Sequence, residues 1–259
     1  MMDQRDVKPD TAVFSKIAEK CKTLDEGETL LAMMDQRDVK PDTAVFSKIA
    51  RHFQGLSNVI SFQKRAIEAG IELGPMVLST LVGNLSTLSE AAELIDQVHE
   101  QGAVLNQNDL NRLLRNTAAP EDAIAVFEAI PRLGRKHDAF AFNTLVSKQA
   151  TYEDARRIVQ TKRPDRVRID GYTLNPVLRR STTLDEVKET LKDMKHARIR
   201  PDVHSVRALI FADYLSDDVR AAGVKQMIAM GLDLDALDPS EFGSKDELFL
   251  SIAKLVRDE

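Results

Sequence analysis

Residues 1–18 read MMDQRDVKPDTAVFSKIA, and the same 18 residues return at positions 33–50. The second copy begins 32 residues after the first. A period of about 20 to 50 residues is typical of repeat proteins, in which neighbouring units stack because no single unit can bury its own apolar face. The duplicated stretch therefore predicts a repeat array and sets the register of its units.

Units of 32 residues continue in this register from residue 11 to residue 234 without insertion or deletion. We call each position within a unit a column. The fourth and seventh columns are apolar in every unit, and the eighth is alanine or aliphatic. Apolar residues at this spacing mark one buried face of a helix, so we predict a first helix over about eleven columns. The units begin at Thr11, Thr43, Pro75, Gln107, Ala139, Gly171 and Val203.

A second helix start follows in most units. A Thr with an acid three residues later has the spacing of a capping box, in which the hydroxyl and the acid each accept a hydrogen bond from a free backbone N–H. In the fourth unit Pro120 stands at this start, where the missing N–H of proline costs little. Each unit is therefore predicted to be a hairpin of two helices. The capping pairs are Thr23/Glu26, Thr87/Glu90, Thr151/Asp154 and Thr183/Glu186.

These patterns predict an all-α fold, an α-solenoid of about seven 32-residue helical hairpins with a C-terminal capping helix. Residues 11–234 form the repeat array, and residues 235–259 form the capping segment. Residues 1–10 match the last ten columns of a unit whose beginning is absent, so we expect them to be the end of a truncated preceding repeat. Pro176 falls inside the first helix of the sixth unit, where we expect it to disturb that helix.

Composition narrows the functional classes. Residues are 43% hydrophobic and 30% charged, which fits a folded helical protein rather than a disordered one. No apolar run approaches the roughly 18 residues of a membrane span, so we expect no membrane partner. The single cysteine, Cys21, excludes an internal disulfide, and we expect it to be a packing residue.

Catalytic and metal sites are not expected. The histidines fall in different columns without metal-ligand spacing, and the sequence contains no Gly-rich phosphate loop or nucleophile motif. We therefore predict a protein that is not an enzyme and that has no cofactor and no metal site. The histidines are His52, His99, His137, His196 and His204.

Charge is distributed unevenly along the chain, whose net charge is −5. Residues 107–202 hold 19 Lys+Arg against 14 Asp+Glu, a balance of +5, whereas each flank has a balance of −5. Basic clusters of this kind attract phosphates, although solvated polar helix faces explain them equally well.

Two columns are polar where a pure scaffold needs no such uniformity. The fifth column is Ser or Asn in six consecutive units, although both are mediocre residues in a helix interior. Its structural alternative is a hydrogen bond back to the preceding turn. The last column directly precedes each first helix, so N-capping alone is one interpretation of its Asp and Asn residues. The fifth column holds Ser15, Ser47, Ser79, Asn111, Asn143, Asn175 and Arg207, and the last column holds Asp42, Gly74, Asn106, Asp138, Asp170, Asp202 and Leu234.

The unit TAVFSKIAEKCKTLDEGETLLAMMDQRDVKPD at residues 11–42 resembles a pentatricopeptide repeat, as does AFAFNTLVSKQATYEDARRIVQ at residues 139–160. The elements that carry the resemblance are an aromatic residue followed by Ser or Asn, the acid after a loop Thr, and a closing Pro-Asp at 41–42 and 201–202. The resemblance covers about residues 1–234. It implies a protein that binds single-stranded RNA with one base per repeat, in organellar RNA processing, stability or translation.

In the pentatricopeptide family the fifth-column residue and the closing residue of a unit form the base-recognising pair. Carried over to this chain, three Asn/Asp pairs resemble pairs that prefer uracil. The Ser79/Asn106 pair resembles an adenine pair, and the Ser15/Asp42 pair resembles a guanine pair. Ser47/Gly74 has no assignment, and Arg207/Leu234 is expected to recognise no base. The implied preference is 5′-G-N-A-U-U-U-3′, and the three uracil pairs are Asn111/Asp138, Asn143/Asp170 and Asn175/Asp202.

If these pairs recognise bases, we expect Ser79, Asn111 and Asn143 to line one face at regular spacing. The resemblance also implies a mitochondrial or chloroplast location, with no transit peptide visible and the cytoplasm as the alternative. The alternative function is a helical-repeat scaffold for protein–protein interaction, similar to tetratricopeptide repeats, and protein partners belong to that alternative.

Overall fold

The computed structural model describes residues 10–258, and within that range it contains helices, turns and loops but no strand. The chain divides into two compact bodies. We call Met1–Lys136 the N-terminal body and His137–Glu259 the C-terminal body. In both bodies helices alternate with short loops, and each hairpin consists of two helices that are consecutive in the chain.

The N-terminal body contains four hairpins. The first helices of these hairpins begin at the first column of their units, as the sequence register predicts. A 3-10 turn, Ala50–His52, extends the first helix of the second hairpin. The helices are α1 Thr11–Ala18, α2 Leu24–Gln36, α3 Thr43–Ile49, α4 Leu56–Glu68, α5 Pro75–Val82, α6 Leu88–Glu100, α7 Gln107–Asn116 and α8 Pro120–Ala129.

The C-terminal body contains three hairpins and a terminal helix. A 3-10 segment, Pro239–Lys245, precedes the terminal helix and is interrupted by a non-helical Gly243. The helices are α9 Ala139–Lys148, α10 Tyr152–Thr161, α11 Gly171–Arg179, α12 Leu184–His196, α13 Val203–Ile210, α14 Asp217–Ala229 and α15 Asp246–Asp258.

The predicted Thr caps of the second helices are present. The Oγ1 atoms of Thr23, Thr87 and Thr183 each accept a hydrogen bond from the backbone N–H three residues later, at 3.1–3.3 Å. At Thr87 and Thr183 the acid also accepts a hydrogen bond from the threonine N–H, which completes the capping box. These caps satisfy backbone donors that would otherwise be exposed at each helix start, and each contributes on the order of 1 kcal/mol.

After five of the seven described second helices, those of the first four hairpins and of the sixth, a residue with positive φ occupies one shared column. Gly70, Gly102 and Gly134 adopt φ values of 72°, 68° and 78° there. Glycine is favoured because it has no Cβ to clash in the left-handed conformation. Asp38 and Arg198 occupy the same column with φ values of 54° and 58°. The geometry of the hairpin exit therefore persists even where its preferred residue is missing.

Packing within each body follows the hairpin order. In the N-terminal body α1 contacts α3 and α5 contacts α7, and in the C-terminal body α9, α11 and α13 lie side by side. The fourth column is buried in every described unit, from Phe14 to Val206. The seventh column is buried except at Ile17, which is 41% exposed, so the prediction for this one residue is wrong. Each first helix thus shares its apolar face with the neighbouring hairpin.

The predicted C-terminal capping helix is α15, which packs against α14 and the 3-10 segment. Phe242 and Phe249 stack at this contact with their ring centroids 4.0 Å apart. The expectation for residues 1–10 lies outside the described residues except at Asp10, which caps α1. In the part of the chain that the structure describes, no helix is both long and apolar enough to span a bilayer.

The expected disturbance at Pro176 is wrong. The helix α11 runs without a break from Gly171 to Arg179 and contains this proline. Proline donates no hydrogen bond to the preceding turn, but α9 and α13 pack on α11 and hold it. The Pro176 carbonyl accepts a hydrogen bond from Arg180 Nη1 at 2.7 Å. Tertiary packing therefore outweighs the local preference.

Three aromatic rings form the densest contact of the second hairpin. The Phe62 ring lies 5.1 Å from the Phe46 ring and 4.8 Å from the Phe53 ring, and all three side chains are buried. We expect Phe62→Ala to lower the free energy of unfolding by about 3–5 kcal/mol, because it leaves a cavity at this contact. Urea denaturation followed by circular dichroism measures the change.

The matched control is Ile60→Ala on the same helix, because Ile60 is 53% exposed. We expect this control to change the free energy of unfolding by less than about 1 kcal/mol. Equal losses for the two variants would contradict the role assigned to the aromatic cluster.

Candidate functional site

The last-column side chains begin the first helices. At each described junction with Asp or Asn in this column, the side-chain Oδ1 accepts a hydrogen bond from a backbone N–H in the first turn of the next helix, at 2.7–3.0 Å. Gly74 precedes α5 and supplies no side-chain cap. The Asp and Asn residues of this column therefore cap the first helices, which leaves a second role in base recognition untested. The capping residues are Asp10, Asp42, Asn106, Asp138, Asp170 and Asp202.

In the third hairpin the fifth-column side chain bonds directly to the next repeat. Ser79 Oγ accepts a hydrogen bond from the Asn106 backbone N–H at 2.8 Å and donates to Asp109 Oδ2 at 2.9 Å. Only 3% of Ser79 is exposed. The predicted pair Ser79/Asn106 is thus in contact, but the serine lies beneath the exposed Asn106 side chain rather than at the surface.

The fifth hairpin brings its predicted pair together through the side chains. Asn143 Nδ2 donates a hydrogen bond to Asp170 Oδ1 at 3.3 Å. Asn143 Oδ1 accepts one from Thr173 Oγ1 at 2.7 Å. The Thr173 hydroxyl has a single proton, and Asn143 is its shorter contact, since Asp170 Oδ1 lies 3.0 Å away. The buried threonine therefore fixes which end of the Asn143 amide faces Asp170.

The sixth hairpin uses the same arrangement with a serine. Ser205 Oγ donates to Asn175 Oδ1 at 3.0 Å and lies 3.3 Å from Asp202 Oδ1. Asn175 and Asp202 are thus linked through Ser205. Asp109, Thr173 and Ser205 all occupy the third column, which sequence analysis did not single out. The signal in the sequence that could have identified them is a polar residue in the third column of the repeat that follows a predicted base-recognising pair.

Where the third column is valine, the fifth-column serine finds another partner. Ser15 Oγ accepts a hydrogen bond from Lys48 Nζ at 2.7 Å, and Lys48 also pairs with Glu19 at 2.7 Å. The hydrogen bond with Lys48 lowers the pKa of the Glu19 carboxyl. Ser47 donates to the Thr43 carbonyl one turn back at 2.7 Å, so the local alternative holds for this residue.

Exposure differs along the fifth column. Asn111 is only 7% exposed, and its Oδ1 accepts a hydrogen bond from Gln107 Nε2 at 3.2 Å. Asn143 is half-buried. Ser79 and Asn111 are therefore recessed, in contrast to the expectation that Ser79, Asn111 and Asn143 would all line the surface.

The remaining predicted residues are more accessible than Ser79 and Asn111. Ser15, Asn175, Asp138 and Asp170 are half-buried, whereas Ser47, Asp42, Asn106 and Asp202 are exposed. The last column is therefore the more exposed of the two polar columns, and the fifth column is the more buried one.

No group of three or more His, Cys, Asp and Glu side chains between residues 10 and 258 is arranged to hold a metal ion. The buried thiol of Cys21 donates a hydrogen bond to the Ile17 carbonyl at 3.6 Å, and burial raises the pKa of this thiol. This environment fits a packing residue rather than a nucleophile.

Helical hairpins with polar junction columns define the class of the protein, an array of stacked helical repeats. A similar architecture occurs in the crystal structure of the pentatricopeptide repeat protein PPR10 from maize, with a TM-score of 0.54 and 17% sequence identity. The match covers 88% of this chain and 38% of that chain, so this chain spans well under half of its length. The likeness confirms the predicted fold class, a pentatricopeptide-repeat-like α-solenoid.

Two further structures of PPR10 match with a TM-score of 0.46 and 15% identity, covering 96% of this chain and 44% of each of those chains. Both are complexes with an 18-nucleotide psaJ RNA element, and one is a cysteine-to-serine variant. No family model and no curated protein matches the sequence.

The hydrogen bond from the Thr173 hydroxyl to Asn143 can be tested by its contribution to stability. We expect Thr173→Val to lower the free energy of unfolding by about 1–2 kcal/mol, because it leaves the Asn143 carbonyl oxygen without its donor. Thermal unfolding measures the change. Thr161→Val is the matched control, since the exposed Thr161 hydroxyl only bonds back to the Arg157 carbonyl. A loss no larger than that of the control would contradict this role.

Proposed function

We propose that this protein binds single-stranded RNA in a sequence-selective manner, with one base per repeat. The observation that carries the proposal is the contact between fifth-column and last-column residues in two repeats, the third and the fifth. Ser79 Oγ accepts a hydrogen bond from the Asn106 backbone N–H at 2.8 Å, and Asn143 Nδ2 donates one to Asp170 Oδ1 at 3.3 Å. Amide, hydroxyl and carboxylate groups supply the donors and acceptors that recognise the edges of unstacked bases.

The contacts of Asn143 support selectivity because they restrict its side chain before a base binds. Asn143 is held by both Asp170 and Thr173, so its amide has a defined orientation. A preorganised donor and acceptor cost less conformational entropy on binding than mobile ones. From the family resemblance, the preferred sequence is 5′-G-N-A-U-U-U-3′.

Base contacts alone are not sufficient for tight binding. Six contacts at a net ~1 kcal/mol each give about 6 kcal/mol. Micromolar affinity needs about 8 kcal/mol. Contacts to backbone phosphates are the natural source of the difference, and the positive balance of residues 107–202 supports such contacts.

The proposed role is binding without catalysis, in organellar RNA processing, stability or translation. A mitochondrial or chloroplast location belongs to the same proposal, with the cytoplasm as its alternative. The proposal rests on the repeat fold and on the chemistry of the junction pairs.

Affinity for a GAAUUU-containing RNA is the direct test of selective binding. We expect the wild-type protein to bind it more tightly than an RNA with the same bases in scrambled order. Asn143→Ser is expected to weaken binding about fivefold, which corresponds to one lost base contact of ~1 kcal/mol. Fluorescence anisotropy measures both affinities. Equal affinity for the two RNAs, with no loss in the variant, would favour the protein-binding scaffold instead.

Asp42→Asn separates capping from base recognition. Asn caps a helix about as well as Asp, and Asn106 already caps α7 in this chain. The variant would combine serine with asparagine, as in the Ser79/Asn106 pair. We therefore expect unchanged thermal stability and a shift of preference at the first base from guanine to adenine, measured with two RNAs that differ only there. Unchanged preference would leave Asp42 with its capping role alone.

A further inference from the structure

The C-terminal body contains a groove that the base-recognising pairs do not account for. Its volume is about 920 Å³, and it runs along α11 and α13. At one end it is lined by Asn175, and elsewhere by Arg179, Arg207, Phe211 and Tyr214. Ligand sites of roughly 300–1,000 Å³ hold molecules of nucleotide size. The groove is therefore large enough for one nucleotide.

Three cations surround the ring of Phe211, and two of them, Arg179 and Arg207, line the groove. The Arg179 and Arg207 guanidinium carbons lie 5.8 and 5.4 Å from the ring centroid, and Lys245 Nζ lies 5.1 Å from it. Each contact is a favourable cation–π geometry. Positive charges gathered around one ring repel each other, and this repulsion favours an anion between them.

Most of the local carboxylates are already used. Asp213 pairs with Lys245 at 3.1 Å, and Glu186 completes the capping box of α12. Glu153 is the remaining carboxylate of the lining. Among residues 10–258, no carboxylate forms an ion pair with Arg179 or Arg207.

The neighbouring Arg180 has a separate, structural role. It donates hydrogen bonds to the backbone carbonyls of Ser147 and Gln149. Burial, and after it the charge of Arg179, lowers the pKa of Arg180. Arg180 is therefore engaged by the backbone, and the exposed Arg179 and Arg207 are the arginines of the groove that remain available to a ligand.

Two largely exposed tyrosines also line the groove. Tyr214 is 81% exposed and Tyr172 is 74% exposed. Stacking of a base on an aromatic ring contributes about 1–3 kcal/mol. Because Tyr214 lines the same groove as both arginines, it offers a stacking surface to the base of a nucleotide whose phosphate contacts them.

We propose that the groove binds one nucleotide of the single-stranded RNA, with its phosphate between Arg179 and Arg207 and its base against Tyr214. The inference rests on the proposed function. In the direction that the family resemblance implies, this nucleotide follows the base recognised by Asn175 and Asp202 on its 3′ side. Arg207, which stands in the fifth column where no base recognition is expected, thus has a function as a phosphate ligand.

RNA is favoured over an acidic protein segment because the groove is continuous with Asn175, a member of the last proposed base-recognising pair. The phosphate contacts also supply binding energy of the kind that six base contacts lack. An acidic peptide gains no stacking on Tyr214.

The experiment compares two RNAs, GAAUUU and the same RNA extended by two adenosines at its 3′ end. The proteins are the wild type, R179Q/R207Q and the charge control K192Q, since Lys192 is an exposed residue on α12. We expect the extension to raise wild-type affinity about tenfold and to steepen the salt dependence by about 0.7 in log–log slope per phosphate contact. R179Q/R207Q is expected to lose this gain but to keep its preference for GAAUUU over a scrambled hexamer.

Two further variants test the chemistry of the site. R179K/R207K keeps both charges and is expected to retain most of the salt dependence, although it loses the bidentate geometry of arginine. Y214A is expected to weaken binding of the extended RNA about fivefold without changing the salt slope. Thermal unfolding of each variant checks that the fold is retained.

The outcomes separate the two proposals. If the wild type shows no preference for GAAUUU over the scrambled hexamer, the proposed function and this inference both fail. If the preference is present but R179Q/R207Q gains as much from the extension as the wild type, the inference alone fails. Tighter binding of a polyglutamate peptide than of the extended RNA would assign the groove to an acidic protein and would also overturn the inference.

Discussion

One hydrogen bond recurs at nearly every junction between hairpins. The side chain that closes a repeat accepts a bond from the backbone N–H in the first turn of the next helix, as Asp42 does from Val45 at 2.9 Å. This bond sets where the first helix begins and holds the closing side chain at the seam between two repeats. In the third and fifth repeats the fifth-column side chain contacts the closing residue at that seam. Helix capping and the proposed base recognition therefore involve the same residues.

The third column contributes to the same seam. Thr173 donates to the Asn143 amide oxygen, which turns the amide nitrogen toward Asp170. The Asp170 Oδ1 atom therefore accepts from Asn143 and also caps α11. Where valine replaces the polar group, the serines Ser15 and Ser47 turn to other partners. The seam is thus a three-residue arrangement rather than a pair.

The sequence alone predicts most of the fold because the repeat imposes the same local preferences many times. The starts of the first helices, the Thr caps and the buried fourth column all follow from residue types at fixed spacing. The start of α14 one residue later than the register predicts also has a local reason, since Ser216 can cap a helix and Leu215 cannot. The helix through Pro176 could not be predicted, because the neighbouring helices outweigh its local cost.

The candidate site was less accessible to sequence reasoning. Spacing identified the two polar columns, but it gave no information on depth, and Ser79 and Asn111 are recessed. The groove around Phe211 escaped notice because its arginines lie in different columns of different repeats. Fold similarity to a protein of which 38% is covered supports the architecture, and the functional argument depends on the side chains themselves.

The regular junction has a consequence for how such an array changes length. The duplicated stretches at residues 1–18 and 33–50 each span the end of one repeat and the start of the next. Recombination between such copies adds or removes one whole hairpin, and the new junction keeps its cap and its apolar neighbours. A gene of this kind can therefore lengthen or shorten the array by one whole hairpin in a single event.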